Sequence, residues 1–231
     1  MDSNIEINNI IKKDNHLSFD ILGDEINGLD KSFINSIRRV LLSSIPSVAF
    51  RTDNISDIII EKNNTSLHNE FLSHRISLIP LYIDPTNYNK NYLFELNVES
   101  SDEPILSIYS NHFKIYKKIK DIKNKNNLSF NKLNYDLSNP LSNKEKDEIL
   151  KPFINPFTKQ KEYCLLTELK SKDLKQSLHL YGSPSLSYAY ENSKWQAVSK
   201  ASYSFKKNDK LFKNICKEKF KIKCKKNNLE K

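Results

Sequence analysis

The densest collection of side chains able to do chemistry is "TSLHNEFLSHRISLI", Thr65 to Ile79, which holds His68, Glu70, His74 and Arg75. Imidazoles and a carboxylate in one segment raise a metal centre or a general acid–base pair as readings. Helical spacing argues against both. At roughly 100° per residue His68 and His74 lie about 240° apart around a helix axis, so they cannot ligate one ion as an i, i+4 pair would. Glu70 and His74 share a face at i, i+4, which predicts a supporting ion pair of about a few tenths of a kcal/mol. Asp102 and Glu103 sit in a polar turn, where solvated charge is the default. The sequence contains no G-x-x-x-x-G-K-[ST] loop, no G-x-S-x-G elbow and no H-E-x-x-H, and with 3 Gly in the chain a phosphate cradle is hard to build. Cys164, Cys216 and Cys224 are far apart and form no C-x-x-C pair, so neither a disulfide framework nor a structural zinc site is indicated. The reading is of a chain without a catalytic centre, metal site or cofactor of its own.

A different pattern marks "FINSIRRVLLSSIPSVAF", Phe33 to Phe50. On a helix, Phe33, Ile34, Ile37, Val40, Leu41 and Ile45 fall on one arc of about 140°, expected to be the core face. Arg38 lies at the edge of that arc. Asn35, Arg39 and Leu42 lie beyond it, so a leucine stands between two guanidiniums where a surface helix ordinarily carries Lys or Glu. Arginines flanking an apolar residue are the composition of a protein interface, because the guanidinium fork pairs with carboxylates or carbonyls of a partner. The alternative is that both arginines are plain surface charges with snorkelling stems. Trp195, with Tyr188, Tyr190, Tyr203, Lys194 and Lys200 nearby, has the makings of a base-stacking platform. A single tryptophan in a strand-rich region is more often core or interface, and that reading is preferred.

The elements that must position these residues can be placed from pattern. "IEINNIIKK" and "LSFDILG" around "KDNH" read as two strands and a turn. Asp30 and Ser32 are N-cap candidates for the arginine helix, and Pro46 stops it, since the residue before a proline is pushed out of the α region. "SVAFRTDNISDIIIEKN" reads as one or two strands, Thr65–Ile79 as a second helix closed by Pro80. "YLFELNVES", "ILSIYSNHFKIY", "EYCLLTELK" and "LKQSLHLYG" have strand character, and the Lys/Asn/Ser-rich stretch 117–147 reads as a long, mobile connection.

At 231 residues the chain has room for a core without disulfide staples. The net charge of +9 is localised: residues 200–231 carry 12 Lys against Asp209, Glu218 and Glu230, and the rest carries 25 basic and 25 acidic residues. The basic character therefore describes a tail, either a solvated terminus or a nucleic-acid contact. The acidic, polar N-terminus lacks the pattern of a signal peptide, and no stretch approaches the roughly 20 apolar residues of a membrane helix, so a soluble, intracellular protein in a reducing compartment is expected.

"FINSIRRVLLSSIPSVAF" followed by "NTSLHNEFLSHRISLIPL" resembles the paired signature of the alpha-like subunits of cellular RNA polymerases: bacterial alpha, its larger archaeal counterpart of the D type, and the third subunit of eukaryotic polymerase II with its polymerase I and III counterpart. "ENSKWQAVSKASY", Glu191 to Tyr203, resembles the Lys-Trp motif of the archaeal and eukaryotic members, which bacterial alpha lacks. The similarity is strong over 33–81 and 191–203 and weak between. It implies an α+β subunit in two parts: a dimerisation module, of which residues 1–50 are the N-terminal part, and an inserted β-rich domain, residues 51–205. Residues 206–231 are left as a basic tail.

In that family the role is assembly of a DNA-directed RNA polymerase for transcription. The protein pairs with a smaller alpha-like partner, L-like in archaea, and the pair seats the second-largest catalytic subunit and then the largest, with DNA met only through the complex. The resemblance implies a subunit interface at Asn35, Arg38, Arg39, Leu42, Glu70, His74, Arg75, Lys194 and Trp195. Many relatives hold a cysteine cluster for zinc or an iron–sulfur cluster in the inserted domain. This sequence has none, so metal binding is not carried over. Relatives also continue past the Lys-Trp region into a strand and long helix that complete the dimer module, whereas 205–231 shows too few periodic apolar positions for that helix. The C-terminal part of the module is thus expected to be missing: dimerisation is reduced, another chain supplies it, or the sequence is a fragment. The AT-biased composition and the lack of a metal site suit a large DNA virus or a similarly divergent lineage. The reading set against assembly is a free-standing nucleic-acid-binding protein acting through its basic tail.

Overall fold

Alternation of apolar and polar residues on either side of a turn at Asp14–Asn15 produces the first element pair. Strands β1 (Glu6–Lys13) and β2 (His16–Leu22) form an antiparallel hairpin in which Ile7 faces Ile21 and Lys12 faces Leu17. The register shifts between Asn8 and Ile11, where Asn9 takes a positive φ of 53° and makes a bulge. The computed structural model describes residues 5–23, 29–53, 56–86, 88–101, 103–119, 132–170, 175–206 and 212–220. The chain folds as two units, residues 1–38 with 200–231, and residues 39–199.

Unit 1 contains the hairpin, the first part of helix α1 (Lys31–Ser43) and a helix over residues 212–220. Asp30 caps α1, its carboxylate accepting from the Phe33 N–H at 2.8 Å, and the helix ends ahead of Pro46. Within the stretch read as a basic tail, the 212–220 helix carries Phe212, Ile215, Cys216 and Phe220 at the i, i+3, i+4, i+8 spacing of one stripe, all exposed. Among the described residues of unit 1 none is buried.

Unit 2 holds the core. Its strands are β3 (Ser47–Ala49), β4 (Ile58–Asn63), β5 (Tyr92–Glu99), β6 (Ile105–Tyr109), β7 (Lys114–Lys117), β8 (Phe153–Ile154), β9 (Lys161–Glu162), β10 (Leu165–Lys170), β11 (Ser177–Gly182) and β12 (Ser185–Ser187). Helices α2 (Asn69–Ser77) and α3 (Asn143–Leu150) complete it. The order β4-β11-β5-β7 makes an antiparallel sheet, accompanied by two-stranded ribbons β6–β10, β3–β12 and β8–β9. The fold is α+β.

Period-two alternation sends Phe94 and Leu96 of β5 and Leu178 and Leu180 of β11 to one face of the sheet. There they meet Leu72 and Ile76 of α2, one helical turn apart and both 0% exposed, together with Ile149 and Leu150 of α3 and Leu166 and Leu169 of β10. Phe50, Phe94 and Phe113 stack edge-to-face, with centroids 5.2 and 5.9 Å apart. Gly182 is required at its position because a Cβ there would come within 2.7 Å of the Asp57 carbonyl, just ahead of the neighbouring strand β4.

The opposite sheet face buries Leu93 and Tyr116 under Tyr135. The Tyr135 hydroxyl donates to the Lys90 carbonyl and to Ser183 Oγ, both at 3.0 Å. This corrects the reading of 117–147 as a mobile connection for its described part. Residues 132–136 form the second cover of the sheet, Lys118 bridges to Tyr135, and α3 begins at Asn143 on a Ser142–Glu145 capping box. Residues 120–131 lie outside the described residues.

The second helix is also shorter than its apolar pattern, Asn69–Ser77 rather than Thr65–Ile79. Asn63 Oδ1 accepts from the Thr65 N–H and Thr65 Oγ1 from the Leu67 N–H, so side chains hold residues 63–67 in a turn.

Candidate functional site

The arginine helix α1 stands out by what it leaves uncovered. Ile34, Ile37 and Leu41 are half-buried, while Phe33 and Val40 are 41% and 54% exposed. The expectation of a core face is corrected: among the described residues, nothing buries this arc fully. On the remaining surface Arg38 Nε donates to Asn35 Oδ1 at 3.0 Å, one turn back, which fixes the guanidinium along the helix. Arg39 is exposed, and among the described residues its guanidinium has no hydrogen-bond or ion-pair partner. Leu42 is half-buried. Ser36 and Ser43 hydroxyls donate to the Ser32 and Arg39 carbonyls, satisfying themselves within the helix. The helix thus carries half-covered apolar side chains beside one cation held within the helix and one unpaired among the described residues, a surface suited to burial against another polypeptide.

In unit 2, α2 is two-sided. Leu72 and Ile76 enter the core; Glu70, Phe71, His74, Arg75 and Leu78 face outward, with Phe71 69% and Leu78 57% exposed. The predicted ion pair between Glu70 and His74 is not formed. Both side chains are solvent-exposed, so no loss of hydration favours holding two flexible groups together. His68 stands outside the helix at its N-cap with extended backbone, a turn and a half from His74. Arg75 Nη2 donates to the Leu165 carbonyl at 2.8 Å and ties the helix to the start of β10. Phe71 and Leu78 were missed in sequence, although Phe71, His74, Arg75 and Leu78 repeat at i, i+3, i+4, i+7 and could have revealed a second apolar face.

Lys194 and Trp195 belong to the interior. The expectation that they present side chains to another subunit gives way to a clamping role, because Trp195 is 0% exposed and the Lys194 side chain 3%. The Lys194 ammonium donates to Thr52 Oγ1 at 3.0 Å and to Asp53 Oδ2 at 3.1 Å, and lies 5.0 Å from the indole centroid. The Arg51 guanidinium lies 5.4 Å from the same ring and pairs with Glu191 at 3.1 Å. Trp195 Nε1 donates to the Ser185 carbonyl, and its own carbonyl accepts from Ser47 Oγ at 2.6 Å.

A second polar knot adjoins this one. Asp57, buried, accepts from the Arg51 N–H at 2.9 Å, from Ser185 Oγ at 2.5 Å and from the Lys90 ammonium at 3.1 Å. Together these contacts pin residues 47–53, which follow α1, and Asp57 onto β12 and the Lys-Trp turn. Tyr188 and Tyr190 stack at 5.3 Å beside it. Among the described residues no three His, Cys, Asp or Glu side chains gather to hold a metal ion, and no helix is long and apolar enough to cross a membrane.

An open arginine helix and an apolar hairpin, with an α+β unit whose Lys-Trp turn is clamped internally, define an interaction module. The chain belongs to the RNA polymerase Rpb3/Rpb11 dimerisation domain family, which matches residues 25–223. It is 41% identical over 63 residues to DNA-directed RNA polymerase subunit Rpo3 of Methanosphaera stadtmanae, a match covering 27% of this chain and 22% of that protein. The Rpo3 protein of Methanocaldococcus jannaschii is 35% identical over 83 residues, 36% of this chain and 39% of the relative. The RNA polymerases I and III subunit RPAC1 of Homo sapiens is 28% identical over 102 residues, 44% of this chain and 25% of the relative. The matched part thus spans well under half the length of each of these relatives.

Proposed function

We propose that the chain is an assembly subunit of a multisubunit DNA-directed RNA polymerase that does no chemistry itself. One observation carries the reading beyond family membership. The unit that includes the hairpin and the start of α1 has no buried residue among those described, yet it displays Ile7, Ile10, Ile11 and Leu17 at 56–65% exposure. Exposed apolar side chains gathered on one short hairpin are what a partner protein would cover. Its natural cover is a smaller alpha-like subunit. The outward faces of α1, with Arg38, Arg39 and Leu42, and of α2, with Phe71 and Arg75, would each receive part of the second-largest polymerase subunit. The interior Lys-Trp clamp serves this indirectly by holding the strand that follows α1.

The test is co-purification of the tagged chain with its stoichiometric partners, wild type against the double variant Arg38→Glu/Arg39→Glu. The variant is expected to fold normally, since neither guanidinium contributes to a core, and to lose the large polymerase subunits. Normal incorporation of the double variant would refute the assignment of α1.

A further inference from the structure

Phe157 is 92% exposed, the highest value of any large apolar side chain among the described residues, and it crowns the β8–β9 hairpin. Phe153 and Ile154, on the first strand of that hairpin, are 62% and 58% exposed. Both faces of the ribbon are therefore bare, and the hairpin projects from unit 2. Such a segment would ordinarily be loose. Here it is braced at both ends.

At the tip, Asn155 Oδ1 accepts from the Phe157 and Thr158 N–H groups at 2.9 and 3.3 Å, the Asn155 N–H donates to the Gln160 carbonyl, and Lys159 takes a φ of 57° to close the turn. The Asn155 amide also donates to Glu162 Oε1 at 2.8 Å across the strands. At the base, the Lys161 ammonium and the Tyr163 hydroxyl both donate to Asp147 of α3, at 2.6 and 2.7 Å. The bonds at the tip fix the backbone around Phe157, those at the base tie the hairpin to α3, and none of them covers the ring.

The charges on the hairpin divide unevenly. Lys161 is paired with Asp147, and Glu162 is held by the Asn155 amide. Lys159 has no ion-pair partner among the described residues, and Lys151, at the base, lies over the Tyr82 ring 4.2 Å from its centroid rather than against a carboxylate. Lys159, two residues from Phe157, is thus the cation beside the apolar knob that has no carboxylate against it among the described residues. We propose that this hairpin is a docking knob for another protein, inserting Phe157 into an apolar pocket whose rim is acidic. A pre-formed aromatic anchor enters such a pocket with little ordering cost, and Lys159 steers the encounter. One unpaired cation is too few to bind a nucleic acid backbone well, and an aliphatic flank such as Ile154 offers nothing to a base. None of these residues belongs to the surfaces of α1 and α2 assigned above; the experiment uses the assembled complex and so rests on the assembly reading, which recovery of the other subunits tests separately.

The experiment places a benzophenone side chain at position 157 of the full chain, purifies the assembled complex from its native source, irradiates it and maps the crosslinked peptide. The expected result is one site on a different protein, an apolar segment neighbouring Asp or Glu. Phe157→Ala should then weaken retention of that protein about 30-fold, the size of an aromatic hot spot, with Phe157→Leu intermediate. Lys159→Glu should weaken it too, and reversing the neighbouring carboxylate of the partner to Lys should restore it. Because these side chains are solvent-exposed, the unfolding midpoint of each variant should match wild type, and recovery of the other subunits reports assembly separately. Absence of a crosslink, scattered crosslinks, crosslinks to nucleic acid or to a second copy of this chain, or full retention by Phe157→Ala would each overturn the proposal.

Discussion

Replacing Trp195 by phenylalanine separates an interior role for the Lys-Trp turn from a role in binding. The indole is fully buried, its Nε1 donates to the Ser185 carbonyl at 3.2 Å, and two cations, Lys194 and Arg51, lie within 5.4 Å of its centroid. Phenylalanine keeps the ring but removes the donor. A buried acceptor left without its partner costs about 1–3 kcal/mol. The poorer cation–π surface of phenylalanine adds about 1 kcal/mol over the two contacts. The expected destabilisation is therefore about 2–4 kcal/mol. At about 2–4 °C per kcal/mol for a domain in the 150–250-residue range, the melting temperature should fall by about 5–15 °C.

The assay is thermal unfolding followed by far-ultraviolet circular dichroism. In the wild type, fluorescence of Trp195, the single tryptophan of the chain, gives an independent readout. Buried as it is, its emission should be blue-shifted and resist acrylamide quenching until unit 2 unfolds. Below the new melting temperature, the folded Trp195→Phe variant should assemble with its partners as wild type does. An unchanged melting temperature together with lost assembly would refute the clamp and return Trp195 to the surface.

Three further outcomes follow from the geometry of unit 2. Ile76→Ala, at a position with no exposure, should cost about 2–5 kcal/mol in urea unfolding, whereas Phe71→Ser, five residues earlier on the outward face, should stay within about 0.5 kcal/mol and instead weaken co-purification with the large subunits. Gly182→Ala should destabilise by about 1–3 kcal/mol, since its methyl group meets the Asp57 carbonyl, a backbone atom with no room to move; a neutral result would contradict the packing described. Hydrogen bonds from Lys117, at 2.8 Å, and then from Ser142 hold the Glu145 carboxyl down to about 2, against an ordinary value of 4.5. A depressed carboxyl stabilises the fold fully above its ordinary value and progressively less as pH falls through the folded one. Protection of α3 amides should therefore fade between about pH 4.5 and 2, and Glu145→Gln should abolish that dependence; a carboxyl titrating at 4.5 in an NMR pH series would count against the capping box.

Much of this architecture was legible because local chemistry and tertiary packing agree. Pro46 and Pro80 bound two helices, and alternation in "YLFELNVES" and "LKQSLHLYG" marks β5 and β11, since each strand has one face on the main core. Helix α3 was not legible from periodicity, with Ile149 and Leu150 alone buried at its end. Its signal lay instead in Ser142-x-x-Glu145. The interior role of Lys194 could not be read locally, because its partners Thr52 and Asp53 lie more than 140 residues away in sequence. The half-covered arc of α1 shows a deeper ambiguity. Apolar periodicity says that a face will be buried, but it does not say in whose core.

A first unit with no buried residue among those described is the part of the chain least held by packing. Hydrogen-bonded strands without a packed layer open at low cost, and opened backbone is what proteases cleave. Occupied by a partner, the β1–β2 hairpin gains the free energy of that association and closes. Unoccupied, it is the first part of the chain to be clipped. Limited proteolysis of the hairpin would therefore report whether the exposed isoleucines are covered by a bound protein.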